Sequence, residues 1–238
     1  MLSKKVTKDI QSLGLKKFRD ESGLFVAEGP KIVEELMQVI PGQIESIFAT
    51  EDWASAHPSE KVQLISEEDL QRLSQLKTPN QVVAVLKQFS PLEPDASGFC
   101  LYLDTIQDPG NFGTIIRIAD WFGVKNVICS SGCADLYNPK AVQATMASIA
   151  RVNVFYDQQD QWLFNYEKTI YAASLHGKPL SSFTATENGI LLIGNESKGI
   201  REGFLSLAQE KITIQRRGGA ESLNAAVATG ILLSHLLP

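Results

Sequence analysis

Asp108-Pro109-Gly110-Asn111-Phe112-Gly113-Thr114-Ile115-Ile116-Arg117 is the stretch on which the reading of this chain turns. It follows an apolar run, Phe99-Cys100-Leu101-Tyr102-Leu103, that reads as a buried strand. Gly110 and Gly113 permit unusual torsions and close backbone approach, and Asn111 suits the cap of a helix running to Phe122. Taken alone, the stretch is also compatible with a plain strand-to-helix turn. Arg117 argues for more. It lies among Ile115, Ile116, Ile118 and Ala119, and a guanidinium in apolar surroundings requires a partner or a charged ligand.

Two later stretches repeat the layout. Gly194-Asn195-Glu196-Ser197-Lys198-Gly199 follows the apolar Leu191-Leu192-Ile193. Two glycines around Asn195-Glu196 suggest a loop that makes contacts through its backbone, although a turn with a solvated acid reads equally well. Glu221-Ser222-Leu223-Asn224 opens the last helix, expected to run to Leu236, with Ser222 as the natural cap. Capping by Ser222 leaves Asn224 unexplained. In that helix Leu223, Val227, Ile231 and Leu232 are expected to be buried, and small Ala225, Ala226, Ala228 and Gly230 to leave room for another backbone. Strand ends that face helix starts are where open α/β sheets keep ligands. No Walker ordering of glycine and lysine is present. Gly110-x-x-Gly113 also lacks the fuller glycine fingerprint, and the acid about 20 residues on, of a dinucleotide site.

Outward from these stretches, strands at 99–103, 126–129, 152–155, 169–174, 190–193 and 211–214 are separated by helical patterns, including 139–150 begun by Asn138. Apolar strands without alternation, separated by helices, imply an α/β fold with a mostly parallel sheet. Ser90-Pro91-Leu92-Glu93-Pro94-Asp95-Ala96-Ser97 is too rich in proline and acid for a packed element. It divides the chain into a smaller N-terminal α/β domain, residues 1–89, a linker, 90–97, and a second domain, 98–238. In the first domain, strands are expected near 24–27, 44–49, 62–65 and 81–86. Pro30 opens one helix, and Ser66 caps another.

The 238 residues, 44% hydrophobic and 21% charged, have an ordinary globular composition. No run approaches the ~18 apolar residues of a membrane span, and the basic start leads into no apolar signal core. Cys100, Cys129 and Cys133 are an odd count that reads as reduced cytosolic thiols, and the scattered His57, His176 and His235 supply no metal set. The net charge of −5 argues against a broad electrostatic grip on nucleic acid. Residues 1–19 are the exception, with Lys4, Lys5, Lys8, Lys16, Lys17 and Arg19 against Asp9. They read either as a solvated helix face or as a local phosphate contact.

In order and wording, the three stretches resemble the motifs of the SpoU (TrmH-type) RNA ribose methyltransferases, in the knotted SPOUT class. Lys17 to Gly29 also resembles the start of that family's ribosomal-protein-like substrate-binding domain. The resemblance implies a trefoil knot in the C-terminal part of the second domain and methyl transfer from S-adenosylmethionine to a ribose 2′-hydroxyl of RNA. Ribosomal RNA is favoured over tRNA, and a non-catalytic RNA-binding member is the other alternative. The resemblance implies a homodimer in the cytoplasm, with no membrane and no metal. By position it assigns Arg117, Asn111, Glu196, Ser222 and Asn224 to catalysis. It assigns Ser174, Leu175, Gly177, Ile193, Gly194, Asn195, Gly199, Ile214, Ser222 and Leu223 to the cofactor. Phe112 departs from the aliphatic residue commoner there, and Gln215-Arg216-Arg217 replaces a usually less charged stretch.

Overall fold

The computed structural model describes residues 2–238. Close contacts divide the chain into two units. One comprises the chain up to Ser90 together with Asp135–Ala150, and the other Pro91–Ala134 with Arg151–Pro238.

The first unit begins with α1 (Lys4–Ser12), capped by the Ser3 hydroxyl accepting the Val6 N–H, and α2 (Lys16–Ser22). Next come β1 (Leu24–Glu28), α3 (Pro30–Val39), β2 (Ile44–Ala49), α4 (Glu51–Ala56) and β3 (Val62–Leu64). Ser66 caps α5 (Glu67–Leu73) by accepting the Asp69 N–H, and β4 (Val82–Lys87) completes the sheet. Its order is β1-β4-β2-β3, with β4 antiparallel to both neighbours and β3 parallel to β2. Ile10, Leu13, Val26, Phe48, Leu70, Leu73 and Val85 form a core between the helices and one sheet face.

Arg19 is not a surface cation. It is 2% exposed, and its guanidinium donates to Leu13 O at 2.7 Å and to Asp135 at 2.5 Å. Lys16 and Lys17 pair with Asp20 and Glu21 one turn on. The exposed basic side chains of this segment are therefore reduced to Lys4, Lys5 and Lys8 of α1 where phosphate contact is concerned.

In the second unit, β5 (Phe99–Asp104), α6 (Pro109–Trp121) and β6 (Asn126–Ser130) follow the expected order. Then α7 (Pro139–Thr145) leaves for the first unit, although strand–helix alternation reads 139–150 as part of the second. The reason is burial. Leu136, Ala141 and Val142 are covered in the first unit, the Tyr137 ring lies 4.9 Å from that of Phe25, and its hydroxyl accepts the Phe89 N–H. A helix this short depends on such packing to persist. It stops where Met146 and Ala147 take left-handed backbone angles.

Next are β7 (Asn153–Asp157), β8 (Ile170–Pro179), β9 (Gly189–Gly194), α8 (Glu202–Leu205), β10 (Glu210–Thr213) and α9 (Ala225–Leu236). The six strands run in the order β10-β8-β9-β5-β6-β7, and every neighbouring pair is parallel. β5 and β6 are buried throughout, as strands covered on both faces must be. The chain steps outward from β5 through β6 to β7, then returns to the other side of β5. The crevice at the carboxyl ends of β5 and β9 is therefore the topological switch point.

In helix α9 Leu232 is buried as expected, but the other three residues expected to be buried are not. Ala225, Ala226, Thr229, Leu232, Leu233 and Leu236 are buried, whereas Val227 and Ile231 are 51% and 36% exposed. The small residues are used within the chain, where they let α9 lie close to α6 and β9.

Candidate functional site

The three sequence stretches meet at the carboxyl end of the parallel sheet. Asp108, not Asn111, caps α6, because its carboxylate accepts the Asn111 N–H at 2.8 Å. That frees the Asn111 side chain, whose amide donates to Glu196 Oε1. Asn224, not Ser222, caps α9: its Oδ1 accepts the N–H groups of Ala226 and Val227 at 3.0 and 3.3 Å. Its Nδ2 donates to Asn111 Oδ1 at 2.9 Å and to Glu196 Oε1 at 3.1 Å. Two neutral amides thus converge on one carboxylate, each from a different segment. Ser222 is exposed in the loop before the helix.

The glycine-flanked loop is held by side chains as well as backbone. Asn195 Nδ2 donates to Thr105 O at 2.8 Å, and its Oδ1 accepts Ser197 and Lys198 N–H groups at 2.9 and 3.1 Å. Asn195 and Gly199 exchange backbone bonds across the loop. Gly194 has a second reason to be glycine. A Cβ there would lie 2.3 Å from Gly199 C and 2.4 Å from Ile200 N, so the returning chain crosses directly over it.

Beside β10, the chain of β8 makes an excursion. Lys211 pairs with Ala172, but Ile212 pairs with Lys178, so residues 173–177 leave the ladder. A Cβ on Gly177 would meet Lys211 O at 2.4 Å. Leu175 on this excursion and Leu223 before α9 are 69% and 46% exposed, while Ile214 is half-buried and Ile193 is buried. Uncovered aliphatic side chains beside loops rich in main-chain donors and acceptors suit a nucleoside with apolar faces and polar edges. The cofactor-assigned residues fit S-adenosylmethionine on that ground. Ser174, Leu175, Gly177 and Ile214 would wall one side, and Ile193, Gly194, Asn195, Gly199, Ser222 and Leu223 would supply backbone and an opposite wall.

Arg117 stands apart. Ile115, Ile116 and Ala119 are buried, but Arg117 is exposed and forms no hydrogen bond or ion pair among the described residues. It makes no hydrogen bond or ion pair to Asn111, Glu196 or Asn224. Trp121, one turn on, is 85% exposed. Phe112 is fully buried, its ring 6.4 Å from that of Tyr156. Arg216 donates to Ala220 O, and Arg217 is exposed. Asp104 and Arg201, described below, are absent from the sequence reading. The signal available was an acid closing an apolar strand.

No group of three or more His, Cys, Asp or Glu side chains among the described residues is arranged to hold a metal ion, and no helix is long and apolar enough to cross a membrane.

Residues 98–234 match the family described as the SpoU rRNA Methylase family, and residues 4–84 match the MRM3-like substrate binding domain. The chain belongs to the SpoU methylase family.

Among SpoU-related proteins, the 23S rRNA (guanosine(2553)-2'-O)-methyltransferase of Bacillus subtilis is 30% identical, over 96% of this chain and 94% of its own. A TrmH-family putative RNA methyltransferase from Porphyromonas gingivalis superposes with a TM-score of 0.87 at 34% identity, covering 98% of this chain and 97% of its own. An AdoMet-bound rRNA methyltransferase from Sinorhizobium meliloti gives 0.84 at 30% identity, over 98% and 94%. The all-parallel six-stranded α/β sheet with a smaller N-terminal domain is thus the arrangement of the SPOUT methyltransferases.

Proposed function

We propose that this SpoU-family chain transfers the methyl group of S-adenosylmethionine to a ribose 2′-hydroxyl of ribosomal RNA. The observation that carries the reading is the convergence of Asn111, Glu196 and Asn224 from three distant segments at the switch point of the sheet. The Bacillus subtilis relative, named for 2′-O-methylation of 23S rRNA, and the AdoMet-bound Sinorhizobium meliloti relative support the reaction type and the donor.

When bound, S-adenosylmethionine supplies an electrophilic methyl on a cationic sulfur. The backbone of 194–199 and the excursion 173–177 would hold it. Asn111 and Asn224 are pinned by Glu196, so their remaining polar edges are preset before RNA arrives. Positioning of this kind contributes up to about 7–11 kcal/mol to such a displacement. Ser222, exposed beside Leu223, orients the loop against donor and ribose. Arginine stays protonated at ordinary pH, so Arg117 is not the base. With no hydrogen-bond or ion-pair partner among the described residues, its guanidinium is available to an RNA phosphate beside the target and to the developing alkoxide.

The protein acts as a homodimer in the cytoplasm. Exposed Trp121, Val227 and Ile231 on the packed pair α6 and α9 form an apolar surface that a second copy would cover. Val227→Asp should then give monomers in light scattering. The N-terminal unit serves as the RNA-binding part, with Lys4, Lys5 and Lys8 on phosphate. The C-terminal segment is threaded as a knot.

Mapping 2′-O-methyl marks across total RNA with and without the protein tests the reading, and a mark in 23S-type RNA that vanishes is the expected result. Arg117→Ala should lose at least about 100-fold in methyl transfer while S-adenosylmethionine binding, by calorimetry, is kept. Loss of binding in a folded variant would move Arg117 into the cofactor site.

A further inference from the structure

Asp104 closes β5 and is completely buried, yet it is not part of the amide-carboxylate cluster. Its Oδ2 accepts the backbone N–H of Arg201 at 2.7 Å, and its Oδ1 accepts Arg201 Nε at 2.8 Å. The other arm of the guanidinium donates to Asp160 at 2.7 Å, and the guanidinium lies 4.6 Å over the Phe204 ring. Asp160 is itself fixed, because its carboxylate accepts the N–H and hydroxyl of Ser131 at 2.8 and 3.2 Å. Arg201 stands at the cap position of α8, but its side chain makes no capping hydrogen bond to that helix. Its Nε and Nη1 are committed to the two carboxylates.

In the sheet, Asp104 is the register partner of Gly194. Gly194 is where the loop leaves β9, and Arg201 is where it comes back after crossing over Gly194. Asp104 therefore anchors both ends of residues 195–200, its backbone lying in register with Gly194 in the sheet and its carboxylate holding Arg201. We infer that Arg201 is a positioning residue that clamps the 195–200 loop shut over Gly194, and so sets Glu196 against Asn111 and Asn224 before the methyl donor binds. This rests on the function proposed above, but the clamp itself is a property of the loop and is measurable without catalysis.

The physical case is one of geometry and charge. Within the loop the Asn195–Gly199 bridge gives two backbone bonds, and Asn195 to Thr105 O and Glu196 to Asn111 and Asn224 hold its first half, so its returning end depends on Arg201. Arg201 puts its backbone N–H and Nε on Asp104, and its planar guanidinium forks between Asp104 and Asp160. A lysine has the charge but not the fork. Burial of Asp104 leaves its charge dependent on that fork, since an unpaired buried carboxylate is strongly disfavoured.

The experiment is hydrogen–deuterium exchange on the full chain, peptide by peptide, with donor binding measured in parallel by calorimetry. The variants are Arg201→Gln, Arg201→Lys and Asp160→Asn. Arg201→Gln should speed exchange in 195–200 by about tenfold or more, as expected for loss of a charge-assisted bond, and weaken donor binding by a comparable factor. Exchange in β5 and β9 should stay at the parent level. Arg201→Lys should restore part of both losses. Asp160→Asn suits the positive φ of that position and keeps the bond from the Ser131 N–H, so it should loosen the loop by a smaller factor. If Arg201→Gln does not fold, the other two variants carry the test. Unchanged exchange in 195–200 in every folded variant overturns the clamp. A loosened loop in a protein whose parent binds no S-adenosylmethionine upholds the clamp and overturns the proposed function instead.

Discussion

Glycine serves two different purposes in the two units. In the first, Gly23 ends α2 with φ of 66°, and a Cβ added there would meet nothing within 4 Å. In the second, Gly194 is required by proximity, because another stretch of backbone occupies the place of its side chain. The first glycine is a local matter of torsion. The second is a long-range matter of one chain segment crossing another. The two arginine–aspartate pairs differ in the same way. Arg19 joins α2 to the segment that returns from far along the sequence, and this holds the first unit together. Arg201 reaches back to Asp104 and shapes a site. Where backbone packs on backbone, small changes should affect function first. Where side chains fill a core, they should affect stability first.

The largest expected effect breaks the first unit alone. Asp135→Ala leaves Arg19 buried with no carboxylate and should cost about 3–5 kcal/mol in denaturant unfolding, while the residues at the carboxyl end of the parallel sheet are untouched. Full-size loss of donor binding well below the unfolding midpoint would contradict that separation. A matched pair of glycine variants sharpens the contrast. Gly194→Ala should cost about 1–3 kcal/mol by overpacking and abolish donor binding. Gly23→Ala should cost about 1–2 kcal/mol for an alanine at positive φ and leave donor binding intact. Equal effects on binding would dissolve the distinction.

The smallest effect concerns pH. Burial pushes the Glu28 carboxyl above its ordinary value, against the lowering bonds from Ser74 and the Gln75 N–H. A raised folded value means that the stability Glu28 contributes is fully present below the unfolded carboxylate pKa. It is lost as pH rises through the folded value. Glu28→Gln should therefore raise the melting temperature of the first unit at neutral pH relative to its effect at pH 4. A gain of the same size at both would remove Glu28 as the cause.

Much of the architecture was legible because periodicity reports burial. The strand runs around 99–103, 126–129 and 190–193 all became buried parallel strands. The caps at Ser66 and Asn138 were legible because capping is local. Two other caps were misread for the same reason. Asn111 and Ser222 fit the cap preference, but Asp108 and Asn224 occupy those positions. Residue preference ranks candidates within a few positions and does not say where the helix axis starts. Leu223, Val227 and Ile231 of the α9 region were misread as buried because bulk usually marks the buried side, whereas close packing against α6 selects small residues. The exposure of Arg117 was hidden by its neighbours in sequence, since Ile116 and Ile118 point elsewhere on the helix.

Sequence by itself determined the alternating strands and helices and the three stretches that come together at the strand ends. These depend on local propensity and on pattern along the chain. Only the tertiary structure decided that Asn111, Glu196 and Asn224 meet, that 135–150 folds with the first unit, that Arg19 is buried and that Arg201 reaches Asp104. Each of these joins residues far apart in the chain. Such pairings are set by how sheets and helices pack in three dimensions, and no spacing along one strand or helix encodes them.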